Sequence, residues 1–215
     1  MPKNLHKLFY RDYFTDVNSA NSEILNSELV PLDSPVSEIE GFKVLRFKVL
    51  YPGLVTGTGL PHEASEKGEF KSGLHLDWTY GMPVIYGSSV KGVLRKYFQN
   101  FYTETNTNAV VQDIFGSAEA GKGGDVFFDA VVVSAPKNKP LVSDSITPHN
   151  KGVFAEPVPL PFVKIAPGSV LEFRFKLKDN RILDKGKTLA IFSDILTSFG
   201  IGAKTNVGYG QLKKV

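Results

Sequence analysis

Near the C-terminus, Gly200-Ile201-Gly202-Ala203-Lys204-Thr205-Asn206-Val207-Gly208-Tyr209-Gly210 sets four glycines around one lysine. Glycine admits backbone conformations that other residues avoid, so such a loop can turn main-chain N–H groups outward and let an oxyanion approach without meeting a Cβ. Lys204 would add a positive point charge, and Thr205 and Asn206 would add side-chain donors. Binding of phosphate oxygens is the chemistry this suits. The same residues also suit a tight turn between a helix and a final strand.

A second candidate is Gly87-Ser88-Ser89-Val90-Lys91-Gly92-Val93-Leu94-Arg95-Lys96-Tyr97-Phe98. Ser88 or Ser89 is placed to cap a helix whose apolar side carries Val90, Val93, Leu94, Tyr97 and Phe98. Lys91 and Arg95, four apart, share a face. Lys91 falls in the first turn, where the helix dipole disfavours a cation. A phosphate docked on the free N–H groups would explain that placement. An ordinary surface helix is the alternative.

Other groups carry less. His62, Glu63, His75 and Asp77 match no metal-ligand spacing and read as solvated loop residues. His62, His149 and Asp77 are the candidates should acid–base cleavage of RNA be at work. His149 and Lys151 sit in a proline-rich stretch that suits contact with RNA or a neighbouring subunit. Gly116, Gly121 and Lys122 imitate a P-loop, but Gly123 stands where its hydroxyl residue belongs and a β-rich run follows, so no nucleotide cofactor is expected. Phe127 and Phe128 could stack bases on a sheet, although alternation allows at most one of them that face.

The whole chain sets bounds. Its 215 residues, 42% hydrophobic and 12% aromatic, can bury a core, and we expect one domain over residues 1–215. A net charge of +3 permits contact with a polyanion without demanding it. Without cysteine there are no disulfides or thiolate metal sites, and no apolar run is long enough to span a bilayer, so the chain reads as cytoplasmic and free of membrane. No metal site is assigned, although carboxylates leave magnesium open.

Several elements must position these residues. Leu5, Leu8, Phe9 and Tyr13 follow helical spacing, and residues 18–35 read as an irregular connection with room for a helical turn around residues 23–29, so residues 1–40 form a helical and irregular extension. Phe42–Val49 reads as the first strand, with one basic face. Two long excursions follow, at residues 61–73 and 134–161, the latter so rich in proline that it reads as a hairpin-like or irregular protrusion, with strand character resuming at residues 163–165. Residues 126–133 and 170–177 read as strands and residues 187–199 as a helix that Gly200 stops, with a short strand from Gln211 onward. The order is α+β, and a ferredoxin-like βαββαβ core is its commonest compact solution.

With these residues in view, the chain resembles the repeat-associated mysterious protein (RAMP) superfamily of CRISPR systems, and within it the sixth-subunit family of type III-B (Cmr) effector complexes. The resemblance rests on residues 200–210, on Gly87-Ser88-Ser89-Val90-Lys91-Gly92-Val93-Leu94-Arg95, and on Ile114-Phe115-Gly116 followed by Phe128-Asp129-Ala130. Thr147-Pro148-His149 with Pro159 and Phe162 complete it, and it covers the chain from about residue 42 onward. Tyr86 departs from the proline often found before Gly-Ser-Ser. The resemblance implies a modified RNA-recognition-like fold with long inserted loops. It implies a subunit without a catalytic residue that grips CRISPR RNA, near target RNA, among other RAMP subunits.

Overall fold

The computed structural model describes residues 4–30, 41–56, 67–70, 74–117, 121–147, 159–179 and 181–215. Strand β1 (Phe42–Val49) sends Phe47 and Val49 into the interior, leaving Arg46 and Lys48 exposed. Two-residue alternation then puts Phe42 and Val44 on the charged side, not with the buried set. The apolar residues of this strand therefore divide between both faces.

Strands β2 (Val84–Ile85), β5 (Val126–Phe127), β6 (Ala130–Ser134), β9 (Val170–Lys176) and β10 (Leu212–Lys214) complete the main sheet. Its order is β10-β1-β9-β6-β2, antiparallel throughout, with β5 also paired to β9. Residues 126–133, which alternation joins into one strand, are broken at Phe128-Asp129. Phe127 meets Phe115, Phe175 and Phe192, while Phe128 stacks on Phe42.

Helices α3 (Gly87–Tyr97), α4 (Thr107–Phe115) and α5 (Lys185–Phe199) supply the other half of the interior. Phe192 of α5 is fully buried, 5.3 Å from the Phe175 ring and 6.4 Å from that of Phe98. Leu171, Phe173 and Phe175 of β9 are the sheet's contribution. Asp184 caps α5 by accepting from the Lys187 amide, and Gly200, at φ 65°, ends it by donating its amide hydrogen to the Leu196 carbonyl. The buried Arg181 fork on Asp125, with Arg181 also donating to Thr188, ties the chain before β5 to this helix start.

The N-terminal residues do more than an extension would. Short helical turns α1 (Leu5–Lys7), Leu8–Asp12 and Tyr13–Thr15 lead into α2 (Val17–Asn26), where an irregular connection is expected from sequence. Leu5, Phe9, Tyr13 and Ile24 join the main core. The Tyr13 hydroxyl accepts the Phe70 amide, and the Leu29 amide donates to the Asn138 carbonyl.

The proline-rich excursion is built on a hairpin of β7 (Leu141–Ile146) and β8 (Leu160–Ile165), in register from Leu141 opposite Ile165 to Ile146 opposite Leu160. Pro161, which has no amide to donate, sits in β8 of this two-stranded ribbon. A smaller hairpin of β3 (Gly116–Ser117) and β4 (Gly121–Lys122) occupies the stretch that imitates a P-loop. It opens a strand pair, not a helix.

Candidate nucleic-acid interface

The glycine loop is shaped mainly by contact with its own chain. Gly202 and Gly210 have φ of 98° and 74°, and a Cβ on them would lie 2.3 Å from the Val55 carbonyl oxygen and 1.9 Å from that of Ile201. Only hydrogen fits there. The Ala203 amide donates to Val55 at 2.8 Å, the Gly210 amide to Gly53 at 2.8 Å, and the Ile201 amide to Gly210 at 3.0 Å. Gly208 and Tyr209 donate inward as well. Of the outward row of amides expected at Gly200, Gly202, Gly208 and Gly210, those of Gly200, Gly208 and Gly210 are instead taken up by an internal lattice. The amides of Lys204, Thr205 and Asn206 have no acceptor among the described residues.

Those three residues form the loop's outer tip. Lys204 and Asn206 are exposed and Thr205 is partly so. Lys204 adopts a left-handed conformation at φ 59°, which costs a non-glycine residue about 1 kcal/mol or more. Val207, 70% exposed, stands on the same tip, and Tyr51, 86% exposed, precedes the turn on which the loop rests.

Under the loop lies a small second core of Val55, Phe162 and Tyr209, with Ile146 and Ala203 against it. The Tyr209 hydroxyl donates to Asp144 Oδ2 at 2.8 Å, and the nearly buried Lys164 ammonium pairs with the same oxygen. Burial raises the Asp144 carboxyl, but hydrogen bonds from Lys164, Tyr209 and the Ser145 amide outweigh it and hold the group below the usual aspartate value. Burial, with Asp144 beside it, pushes the Tyr209 hydroxyl up to about 12. The loop and the β7–β8 hairpin are therefore one locked unit. His62, His149 and Lys151 lie outside the described residues.

The start of α3 departs from expectation. The cap is Tyr86, with no side-chain hydrogen bond, and the helix begins at Gly87, so neither Ser88 nor Ser89 caps it. The Gly87 amide donates to Asp129 Oδ1 at 2.7 Å, and the Ser89 and Val90 amides both turn back to the Tyr86 carbonyl. A carboxylate of the chain itself thus holds the place proposed for phosphate. Lys91 is partly buried; Ser88 and Arg95 are exposed.

Position along α3 separates these residues from the loop. Tyr97 stacks on Phe199, the residue before Gly200, at 3.8 Å and 5°. Ser88 lies nine residues earlier on the helix, about 14 Å along its axis at 1.5 Å per residue. Arg95 is at the loop end of α3, whereas Ser88, Ser89 and Lys91 are toward the other.

That other end opens on a cleft of 580 Å3 along the sheet side carrying Arg174, where Phe42, Tyr80 and Phe128 meet Asp77, Asp129 and Arg174. Phe42 and Phe128 stack at 5.2 Å and 28°. Arg174 Nε donates to the buried Glu172 at 2.8 Å, and Arg46 holds the carboxylate's other oxygen. Asp77 Oδ1 accepts from the Thr79 amide, the Thr79 hydroxyl and the Tyr80 amide; these bonds prevail over burial and keep its carboxyl below the usual value. Burial pushes the Tyr80 hydroxyl up to about 12, and that hydroxyl has no partner among the described residues.

Sequence reasoning singled out Phe128 but missed Phe42 and Tyr80. The signal available was the slip of phase in β1, where Phe42 and Val44 fall on the even, charged positions. His75 stacks on Tyr86 at 4.2 Å, and burial lowers its basicity. Among the described residues, no group of three His, Asp or Glu side chains is placed to hold a metal ion, and no helix is long and apolar enough to cross a membrane.

An antiparallel sheet with helices packed on its Phe173 and Phe175 side, closed by a C-terminal glycine loop locked to an inserted hairpin, defines a class of α+β protein. The chain belongs to the RAMP superfamily, whose family model matches residues 46–213. It is 34% identical over 152 residues to the CRISPR system CMR subunit Cmr6 of Saccharolobus solfataricus, an alignment covering 68% of this chain and 50% of the relative. The chain therefore spans about half the length of that curated relative. In fold it is similar to a chain of the type III-B Cmr-beta complex bound to cognate target RNA, with a TM-score of 0.64, 23% identity and coverage of 100% of this chain and 66% of the other. It also matches Cmr6 from Pyrococcus furiosus, with a TM-score of 0.50, 20% identity and coverage of 81% and 98%.

Proposed function

We propose that this chain is a non-catalytic subunit of a type III-B CRISPR RNA-guided effector complex acting in antiviral defence in the cytoplasm. It holds CRISPR RNA by phosphate contacts and packs against neighbouring RAMP subunits, close to target RNA. The observation that carries this reading is the loop tip at residues 204–206: an exposed lysine in left-handed conformation beside three amides without internal acceptors, on a loop pinned by Val55, Gly53 and Asp144. A rigid base with a cationic, donor-rich tip binds phosphate without reading sequence. Similarity to Cmr6 and to the target-RNA-bound Cmr-beta chain supports the assignment to such a complex. The order β10-β1-β9-β6, with α3 and α5 as the two crossovers, supports a ferredoxin-like core, and we take residues 1–215 as one RAMP domain.

In this assignment Gly200, Gly202, Gly208 and Gly210 shape the loop, Lys204, Thr205 and Asn206 meet phosphate, and Arg95 extends the basic surface. Ser88, Ser89 and Lys91 form a second, separate contact, with His62, His149 and Lys151 as further RNA or subunit contacts. The test is purification of the tagged full chain from its host in gentle salt, wild type and Lys204→Ala, with mass spectrometry and small-RNA sequencing. Wild type should bring down RAMP partners and spacer-containing RNA. Lys204→Ala should weaken RNA retention and flatten its salt dependence by about one phosphate contact. Recovery of wild type alone and free of RNA refutes the assignment.

A further inference from the structure

We propose that the cleft between the 77–80 segment and the sheet binds one guanine base, unstacked from a single RNA strand. The inference rests on the reading of this chain as an RNA-binding subunit and adds a base-selective pocket about which the phosphate contacts say nothing. Two observations carry it. The volume, 580 Å3, is that of a small-molecule site, and its walls present the flat rings of Phe42, Phe128 and Tyr80. Single-stranded bases are commonly held by stacking on such rings.

The polar groups then choose among occupants. Arg174 has one nitrogen on Glu172, while its Nη groups donate to no acceptor among the described residues. Arginine pairs with the O6 and N7 acceptors of guanine. Asp77 and Asp129 each use Oδ1 within the chain, and Oδ2 of each accepts no hydrogen bond among the described residues. Those oxygens suit the N1–H and N2–H donors on guanine's other edge. A phosphate would meet two carboxylates, and a partner's lysine or arginine would meet Arg174. Guanine offers acceptors to the cation and donors to the anions.

The test uses the full-length protein. A 12-nucleotide oligouridine and the same strand with one central guanosine are titrated at fixed salt, and thermal protection by GMP, AMP, CMP, UMP and N-acetyl-argininamide is measured. We expect the guanosine strand to bind about ten-fold tighter and GMP to protect above the other nucleotides. Phe128→Ala should abolish that ratio. Arg174→Lys, which keeps the charge beside Glu172 but loses the planar fork, should reduce it while the protein stays folded. Lys204→Ala should weaken both strands alike and leave the ratio intact. Equal binding of both strands by wild type overturns the guanine pocket and leaves the RNA-binding reading standing. GMP protection without binding of either strand sustains the pocket and refutes that reading. Protection by N-acetyl-argininamide in place of GMP overturns the pocket by assigning the cleft to a protein partner.

Discussion

Replacing Asp144 by Asn tests whether the glycine loop and the hairpin are one unit. Asn keeps the shape and an acceptor for the Tyr209 hydroxyl but withdraws the charge that balances Lys164, whose side chain is 8% exposed. Removing one partner of a buried ion pair costs about 3–5 kcal/mol. Asp144 is itself 29% exposed, so water makes good part of the loss, and we expect about 2–3 kcal/mol. In urea that is a fall in midpoint of about 1 M at a slope near 2–3 kcal/mol/M. Adding Lys164→Met to Asp144→Asn should recover most of the loss, because no charge is then left without a partner.

The pH dependence follows from the same pair. The folded-state pKa of Asp144 is depressed, so its stabilisation is complete above the unfolded value of about 3.9 and is lost as pH falls through the folded value. The gap between wild type and Asp144→Asn should hold steady from pH 7 to about 5 and close at lower pH, where wild type also leaves Lys164 without a charge partner. Urea unfolding at a series of pH values measures both. A loss under about 0.5 kcal/mol at pH 7, or a gap of constant size down to pH 2.5, would refute the electrostatic lock.

Gly210→Ala puts a Cβ 1.9 Å from the Ile201 carbonyl oxygen at φ 74°, and should cost about 2–4 kcal/mol in urea unfolding and displace the loop. Lys204→Gly should leave stability unchanged or raise it by up to about 1 kcal/mol, because Gly relieves a left-handed residue, while RNA retention still falls. Phe192→Ala, deep among Phe98, Phe115, Phe127 and Phe175, should cost about 3–5 kcal/mol by denaturant unfolding. Under conditions where that variant stays folded, it should leave the RNA salt slope unchanged.

Elements that answer to their own neighbours were legible in sequence. The strand Phe42–Val49, the body of α3, the stripe of α5 and its stop at Gly200 follow from period and capping, which act within a few residues. Reading failed where distant contacts decide. Residues 17–26 are poor in large apolar groups, yet Ala20 and Ile24 are buried and complete α2 against the rest of the fold. The prolines around 140–161 left a hairpin-like and an irregular protrusion equally open; the structure builds the hairpin of β7 and β8, whose two-stranded ribbon tolerates Pro161.

By itself the sequence determined the kinds of elements, their order, and the linked motifs at Gly87, Phe115 and Gly200 that carry the family likeness. It could not say where the amides of those motifs point. Glycines at 202 and 210 announce close approach, but the partners are Val55 and Ile201, and the anion at α3 is Asp129, 42 residues beyond Gly87. Nor could it bring Phe42 and Phe128 face to face beside Arg174. Local spacing fixes which conformations a segment can adopt, whereas hydrogen-bond partners and cleft walls depend on the register between strands remote in the chain, which is set only when the core closes.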